Sequence, residues 1–269
     1  MRIARDRNAQ ARVESEELPD ADVPAAVVCA LCGNADCAGC RPELTRSGVV
    51  SVVAWERPGT TGFARLWATA RATTLDAEAF FASLPDGPIT PALRFAVVSE
   101  TIAAAAMAVT ALAALALFAP SWMAHMFLHE SGTLVRLAAA GIPSLAGLLV
   151  AAHAAHGWAL DYGAGRSGAR RATRRALRFG LYAAGWDLII GPLGVVVLSA
   201  KEGVRAAMSV AWVGVGLPGR SARAFLRGCY GLEGSAARPA MRASWVAAAI
   251  ATTVGAVAVI GAFLAALFS

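Results

Sequence analysis

The chain has 269 residues, of which 57% are hydrophobic and 16% charged, whereas soluble domains average roughly 45–50% and about 25%. Together with a mean hydropathy of +0.56, this argues against a soluble enzyme, a disordered chain and a disulfide scaffold, and for an integral membrane protein. The net charge of +6 is unevenly spread: residues 1–93 carry 9 basic and 12 acidic groups, residues 94–269 carry 15 basic and 6 acidic. The basic residues of the second part lie between apolar runs, where membrane topology explains them better than nucleic-acid binding does.

Residues 1–24 have charges of both signs, no aromatics and no apolar segment of the kind a secretory signal needs, and are expected to form a disordered tail. Residues 25–45 hold Cys29-Ala-Leu-Cys32 and Cys37-Ala-Gly-Cys40. Two CxxC pairs separated by four residues can present four thiolates to one tetrahedral ion, the arrangement of a closed structural zinc site, and Gly33 suits the tight turn around it. The cofactor expected is therefore structural zinc on Cys29, Cys32, Cys37 and Cys40. An iron–sulfur cluster or unmetallated redox thiols are the alternatives. Such a closed site speaks for folding or binding, not catalysis.

Residues 46–94 form a linker. Gly48–Trp55 is strand-like, and residues 63–84 suggest one or two amphipathic helices at the membrane surface, ended by Pro85-Asp86-Gly87-Pro88. Five apolar runs follow within residues 95–268, near 95–119, 134–158, 179–200, 203–219 and 245–268. About 20 apolar residues cross a bilayer; the fourth run is the shortest. Six Arg lie in 159–178 and five in 220–244. The positive-inside rule places both segments in the cytoplasm, so the chain must cross between them and return. The expectation is an all-α, five-helix membrane bundle with a cytoplasmic four-cysteine head. Its N-terminus would be cytoplasmic and its C-terminus periplasmic in a bacterial inner membrane. Runs three and four as a re-entrant or kinked pair give the same topology. Trp122, Trp158, Tyr162, Trp186 and Trp245 lie near run ends as interfacial anchors, and Ala247, Ala251 and Gly255 form a small-residue stripe suited to helix packing.

Four ionisable residues fall inside the runs: Glu100, His153, His156 and Asp187. Their depths from the cytoplasmic ends are alike, roughly 8–12 Å at 1.5 Å per residue. Charged groups in hydrocarbon are costly and pair with one another, so these four are expected to form a polar cluster, either a proton or substrate site or an interhelical tie. His125, His129 and Glu130 offer an outer metal or pH-sensing site, since positions i and i+4 share a helix face. That pair lies too far along the chain from His153 and His156 to share one ion. Cys229 is expected to be an ordinary thiol.

The stretch Trp55-Glu-Arg-Pro, Arg65-Leu-Trp-Ala-Thr-Ala, Phe80-Phe-Ala-Ser-Leu-Pro and Ala92-Leu-Arg-Phe-Ala resembles the pre-span element of bacterial members of the Ypt-interacting-protein (Yip) membrane family. The resemblance implies five spans, an inside N-terminus, and a non-enzymatic role in organising the membrane or scaffolding partners; it brings no catalytic residues. The expected partners are the lipid bilayer, a protein at the cytoplasmic head and further copies of the chain, with no nucleic acid. A small transporter or channel built on the Glu/His/Asp level is the second reading, and a membrane metalloenzyme with His ligands the third.

Overall fold

The computed structural model describes residues 53–57 and 61–268. The expected tail, the four-cysteine module with Cys29, Cys32, Cys37 and Cys40, and most of the strand-like stretch lie outside these residues. Of that stretch, Ala54–Glu56 is a 3-10 turn, and no strand occurs among the described residues.

Eleven helices follow among the described residues. Helix α1 (Gly62–Leu75) begins where the Thr61 hydroxyl accepts the Ala64 amide, an N-cap that satisfies one of the first-turn donors. Helix α2 is Ala77–Ala82. Helix α3 (Ile89–Phe118) ends at Pro120, which in turn starts α4 (Pro120–His129) as its first residue. Proline disfavours a helix interior, where it removes a backbone donor, but suits the first position of a helix. The connection that follows α3 is therefore largely helical. Helix α5 (Ser131–Arg166) carries Pro143 without interruption. Then come α6 (Thr173–Ala183), α7 (Gly185–Ile190), α8 (Pro192–Glu202), α9 (Val204–Gly214), α10 (Leu217–Tyr230) and α11 (Arg238–Phe268).

Among the described residues, three helices, α3, α5 and α11, are long and apolar enough to cross a membrane, and a fourth crossing arises if α6–α7 and α8, bent by 53°, count as one. At 1.5 Å per residue α9 extends only about 16 Å, short of the roughly 30 Å of hydrocarbon, so it does not supply a fifth crossing alone. Instead it packs back on α8 across Gly203, whose φ of 87° is one that residues with a Cβ rarely adopt.

The crossing helices are largely unpacked. Their most apolar stretches are only 6–11% buried, and Val109, Leu117, Phe118, Val135, Val257 and Ile260 are exposed. Apolar surface on this scale needs a lipid solvent. The buried core lies instead around the first half of α3, the second half of α5 and the beginning of α11. There α1 and α2 contribute Leu66, Phe80 and Phe81, α6 and α7 contribute Phe179, Tyr182 and Leu188, and α10 contributes Phe225 and Leu226. The two pre-span helices thus pack within the bundle and do not lie loosely on the membrane surface.

Two features fix α6 against its neighbours. Arg178 is fully buried. It pairs with Glu56 at 2.8 Å and donates to the Pro88 carbonyl at 2.7 Å, while Tyr182 donates to the same Glu56 oxygen at 2.5 Å. The second feature is a crossing of two glycines. A Cβ on Gly180 would stand 2.1 Å from the His153 carbonyl, and one on Gly157 would stand 2.2 Å from the Ala176 carbonyl. No side chain fits between α5 and α6 at this level. Gly180→Ala is expected to cost about 1–3 kcal/mol, the usual range for overpacking, measured as reduced resistance to thermal or denaturant unfolding in detergent.

Candidate functional site: an intramembrane Glu–His–Asp cluster

The close crossing of α5 and α6 decides where His153 and Asp187 meet. Helix α7 continues from α6 and is pinned at its start by α1: Trp186 donates its indole N–H to the Thr73 carbonyl at 2.8 Å, and the Thr74 hydroxyl donates to the Gly185 carbonyl at 3.4 Å. A Cβ on Gly185 would lie 2.4 Å from the Thr73 hydroxyl, so the seat is tight. Trp186 is therefore a core residue, 7% exposed; the interfacial anchor expected from its position near a run end is corrected by this seat. Trp158 and Tyr162 are half-exposed and stacked on one another, and Trp245 is half-exposed, as belt residues would be. On the next residue after Trp186, the Asp187 carboxylate reaches α5.

His153 Nε2 lies 3.0 Å from Asp187 Oδ2 and 3.1 Å from Glu100 Oε1 on α3. Three helices thus contribute one ligand-type atom each, all within 4.8 Å of one another. This is the one such trio of histidine, cysteine or carboxylate groups found among the described residues. The Glu100 side chain is fully buried, His153 is 14% exposed and Asp187 33%, so the cluster opens on one side, through Asp187. The Trp186 ring stands edge-on to the imidazole at 6.1 Å.

The donor count is short. One imidazole N–H faces two carboxylates, and its hydrogen bond goes to Asp187. Both Glu100 oxygens are buried, and the His153 nitrogen shared with Asp187, 3.1 Å from Oε1, is the one donor within reach among the described residues. An uncompensated carboxylate in such surroundings is expensive, and a cation or proton has to offset it.

His156, expected in the same cluster, turns away. Its Nδ1 meets the Ser244 hydroxyl of α11 at 3.1 Å, and its ring packs against Phe179 and Trp186. The reason is angular: three residues along a helix give neighbouring but not identical directions, and α11 lies on that side. The outer residues behave differently again. The His125 and His129 rings are 5.0 Å apart, while the Glu130 carboxylate accepts from the Thr133 hydroxyl at 3.2 Å, so the three do not converge as a ligand trio. Cys229 is a half-buried free thiol, and burial raises its pKa.

A second polar centre went unnoticed in the sequence. Asp161, fully buried near the end of α5, accepts from the Ala172 amide at 2.7 Å, the Tyr230 hydroxyl at 2.7 Å, the Thr173 hydroxyl at 2.8 Å and Arg171 Nε at 2.9 Å. It ties the α5–α6 connection to α10, and burial together with the bond to Asp161 raises the pKa of the Tyr230 hydroxyl. Every lone pair is used, so this is a structural clasp. Three of the six arginines assigned by sequence to topology alone hold partners within the protein: Arg178 fully buried, Arg175 partly buried, and Arg171 from an exposed position.

The pre-span motif residues also have packing roles. Trp55 donates to the Pro91 carbonyl at 2.9 Å and stands edge-on to Phe95, while Phe80 and Phe81 are buried against Tyr182, Phe179 and Trp186. No family model, curated protein or solved structure matches the chain.

Proposed function

We propose that this is a polytopic membrane protein that binds a divalent transition-metal ion between Glu100, His153 and Asp187, and that it works as a small transporter or channel for such an ion. The observation that carries this reading is the buried Glu100 carboxylate that has no donor of its own, sharing with Asp187 a single His153 nitrogen 3.1 Å away. Two carboxylates and a neutral imidazole carry charge −2, which a divalent cation cancels. The mixed oxygen and nitrogen donors suit manganese, iron, cobalt or zinc. Bonds of about 2.0–2.2 Å to each ligand require only a small outward adjustment from the present separations. Three protein ligands leave a position open, as exchange requires.

The break at Gly191, between α7 and α8 and one turn beyond Asp187, supports the same reading. Interrupted helices at membrane depth are tolerated where they line a cavity or are buried in protein, and in transporters they border ion sites.

For the topology, α8 and α9 form a hairpin that enters and returns. The Arg-rich segments around 166–178 and 220–242 then share the cytoplasmic face of a bacterial inner membrane, with the N-terminus inside and the C-terminus outside. Crossing by the bent pair alone would put them on opposite faces. The head with Cys29, Cys32, Cys37 and Cys40 holds a structural zinc, and the scaffolding role implied by the Yip resemblance would reside there.

The transport reading is tested in proteoliposomes enclosing a fluorescent divalent-ion chelator. Wild-type protein is expected to admit manganese or zinc above the empty-vesicle rate, and Glu100→Gln and Asp187→Asn to fall to that rate. Wild-type flux at background, or full flux in both variants, contradicts it.

A further inference from the structure

A cavity of about 520 Å³ lies between α10, α2 and the beginning of α11, away from the Glu–His–Asp cluster. Arg220, Arg223, Arg227 and Arg238 line it, with Glu78 and Glu233 as its acidic members. Arg220 pairs with Glu78 at 3.4 Å and Arg227 lies 4.0 Å from Glu233. Among the described residues, no carboxylate lies within salt-bridge distance of Arg223 or Arg238. Two guanidinium groups therefore face the cavity uncompensated.

The position of the cavity is as informative as its charge. Arg238 is the first residue of α11, a crossing helix, so the cavity stands where that helix enters the membrane. One turn deeper, Met241 adds an apolar wall. The next turn carries Trp245, half-exposed and in reach of α10: a Cβ on Gly219 would meet its ring at 3.7 Å. A tryptophan at this level marks the bilayer interface. Helix α10 lies there with Ala222, Phe225 and Leu226 buried and Arg223 and Arg227 exposed.

We propose that this cavity binds the headgroup of an anionic phospholipid, with the phosphodiester between Arg223 and Arg238 and the acyl chains along Met241 and Trp245. Guanidinium forks match phosphate oxygens in pairs, and the amino end of α11 adds a favourable dipole. Arginines that serve only to orient the chain need no shared cavity, whereas here one cavity joins them to an apolar path into the bilayer. The proposal is independent of the metal site.

The test is lipid binding by the full-length protein in detergent, followed by native mass spectrometry. Phosphatidylglycerol is expected to bind about tenfold more tightly than phosphatidylcholine. The exposed pair Arg223→Gln/Arg238→Gln should weaken phosphatidylglycerol roughly 30-fold, the loss of two surface-arginine attractions. The control pair Arg166→Gln/Arg170→Gln, exposed elsewhere, should change it less than about threefold. Equal binding of the two lipids, an unchanged affinity in the first pair, or an equal loss in the control pair overturns the proposal. Displacement of the lipid by millimolar inorganic phosphate alone also overturns it, in favour of a soluble-anion site.

Discussion

Glu100→Gln is expected to lower divalent-metal affinity by at least about 100-fold, because loss of an outer-shell partner alone costs about 10–100-fold and Glu100 is a direct ligand in the proposed site. The measurement is calorimetric titration with manganese or zinc, using protein whose Cys29, Cys32, Cys37 and Cys40 are serine so that the head does not compete. The same substitution carries a second, opposite expectation. A neutral amide of the same shape relieves a buried carboxylate that only shares one donor with Asp187, so the metal-free variant should unfold no more easily than its parent. If the cluster were only an interhelical tie, Glu100→Gln would weaken the fold and leave no binding to lose. The two measurements together separate a ligand from a strut.

Asp161→Ala should have the largest effect on stability. The carboxylate is fully buried and accepts four hydrogen bonds from α10, the α5–α6 connection and the start of α6. Charged hydrogen bonds contribute about 1.5–3 kcal/mol each, but Arg171 and Thr173 are exposed and recover water, so we expect a net loss of about 3–5 kcal/mol. Asp161→Asn keeps the shape and some acceptor capacity and should lose about half as much. Unfolding in detergent, followed by tryptophan fluorescence, measures both. Metal binding in the folded fraction should change little, since Asp161 lies outside the Glu–His–Asp cluster.

The two centres differ in how visible they are in the sequence. Glu100 and Asp187 stand out because each is an acid within an apolar run, and a charge in hydrocarbon calls for a partner. His153 sits at a matching depth on an antiparallel helix, so its place in the cluster follows from counting residues. His156 shares that depth but not the direction, and direction depends on where α11 lies, which no local pattern encodes. Asp161 and Arg178 were hidden for the opposite reason. They lie in a stretch rich in arginine, where the simplest reading is a solvated cytoplasmic loop, and the partners that complete their burial include residues far along the chain, Tyr230 for Asp161 and Glu56 and Pro88 for Arg178.

The helical class and the long crossing helices were legible from hydropathy alone. The break within the third run falls at Gly191-Pro192, a pair that disfavours helix continuation. What hydropathy overstated was α9: its residues are apolar enough for a membrane, but Gly203 and the Val215–Gly216 turn leave only 11 residues of helix. The pre-span helices were legible as amphipathic, and amphipathicity does not say whether the apolar face meets lipid or protein. Here Phe80 and Phe81 meet Tyr182, Phe179 and Trp186.

The most direct measurement of the central claim is X-ray absorption spectroscopy at the metal edge of zinc- or cobalt-loaded protein lacking the four head cysteines. The account predicts one bound metal per chain with nitrogen and oxygen ligands at about 2.0–2.2 Å, one imidazole contribution that disappears in His153→Ala, and no sulfur. A chain that retains no metal after gentle dialysis, or one whose metal is bound through sulfur or keeps its imidazole in His153→Ala, would contradict it.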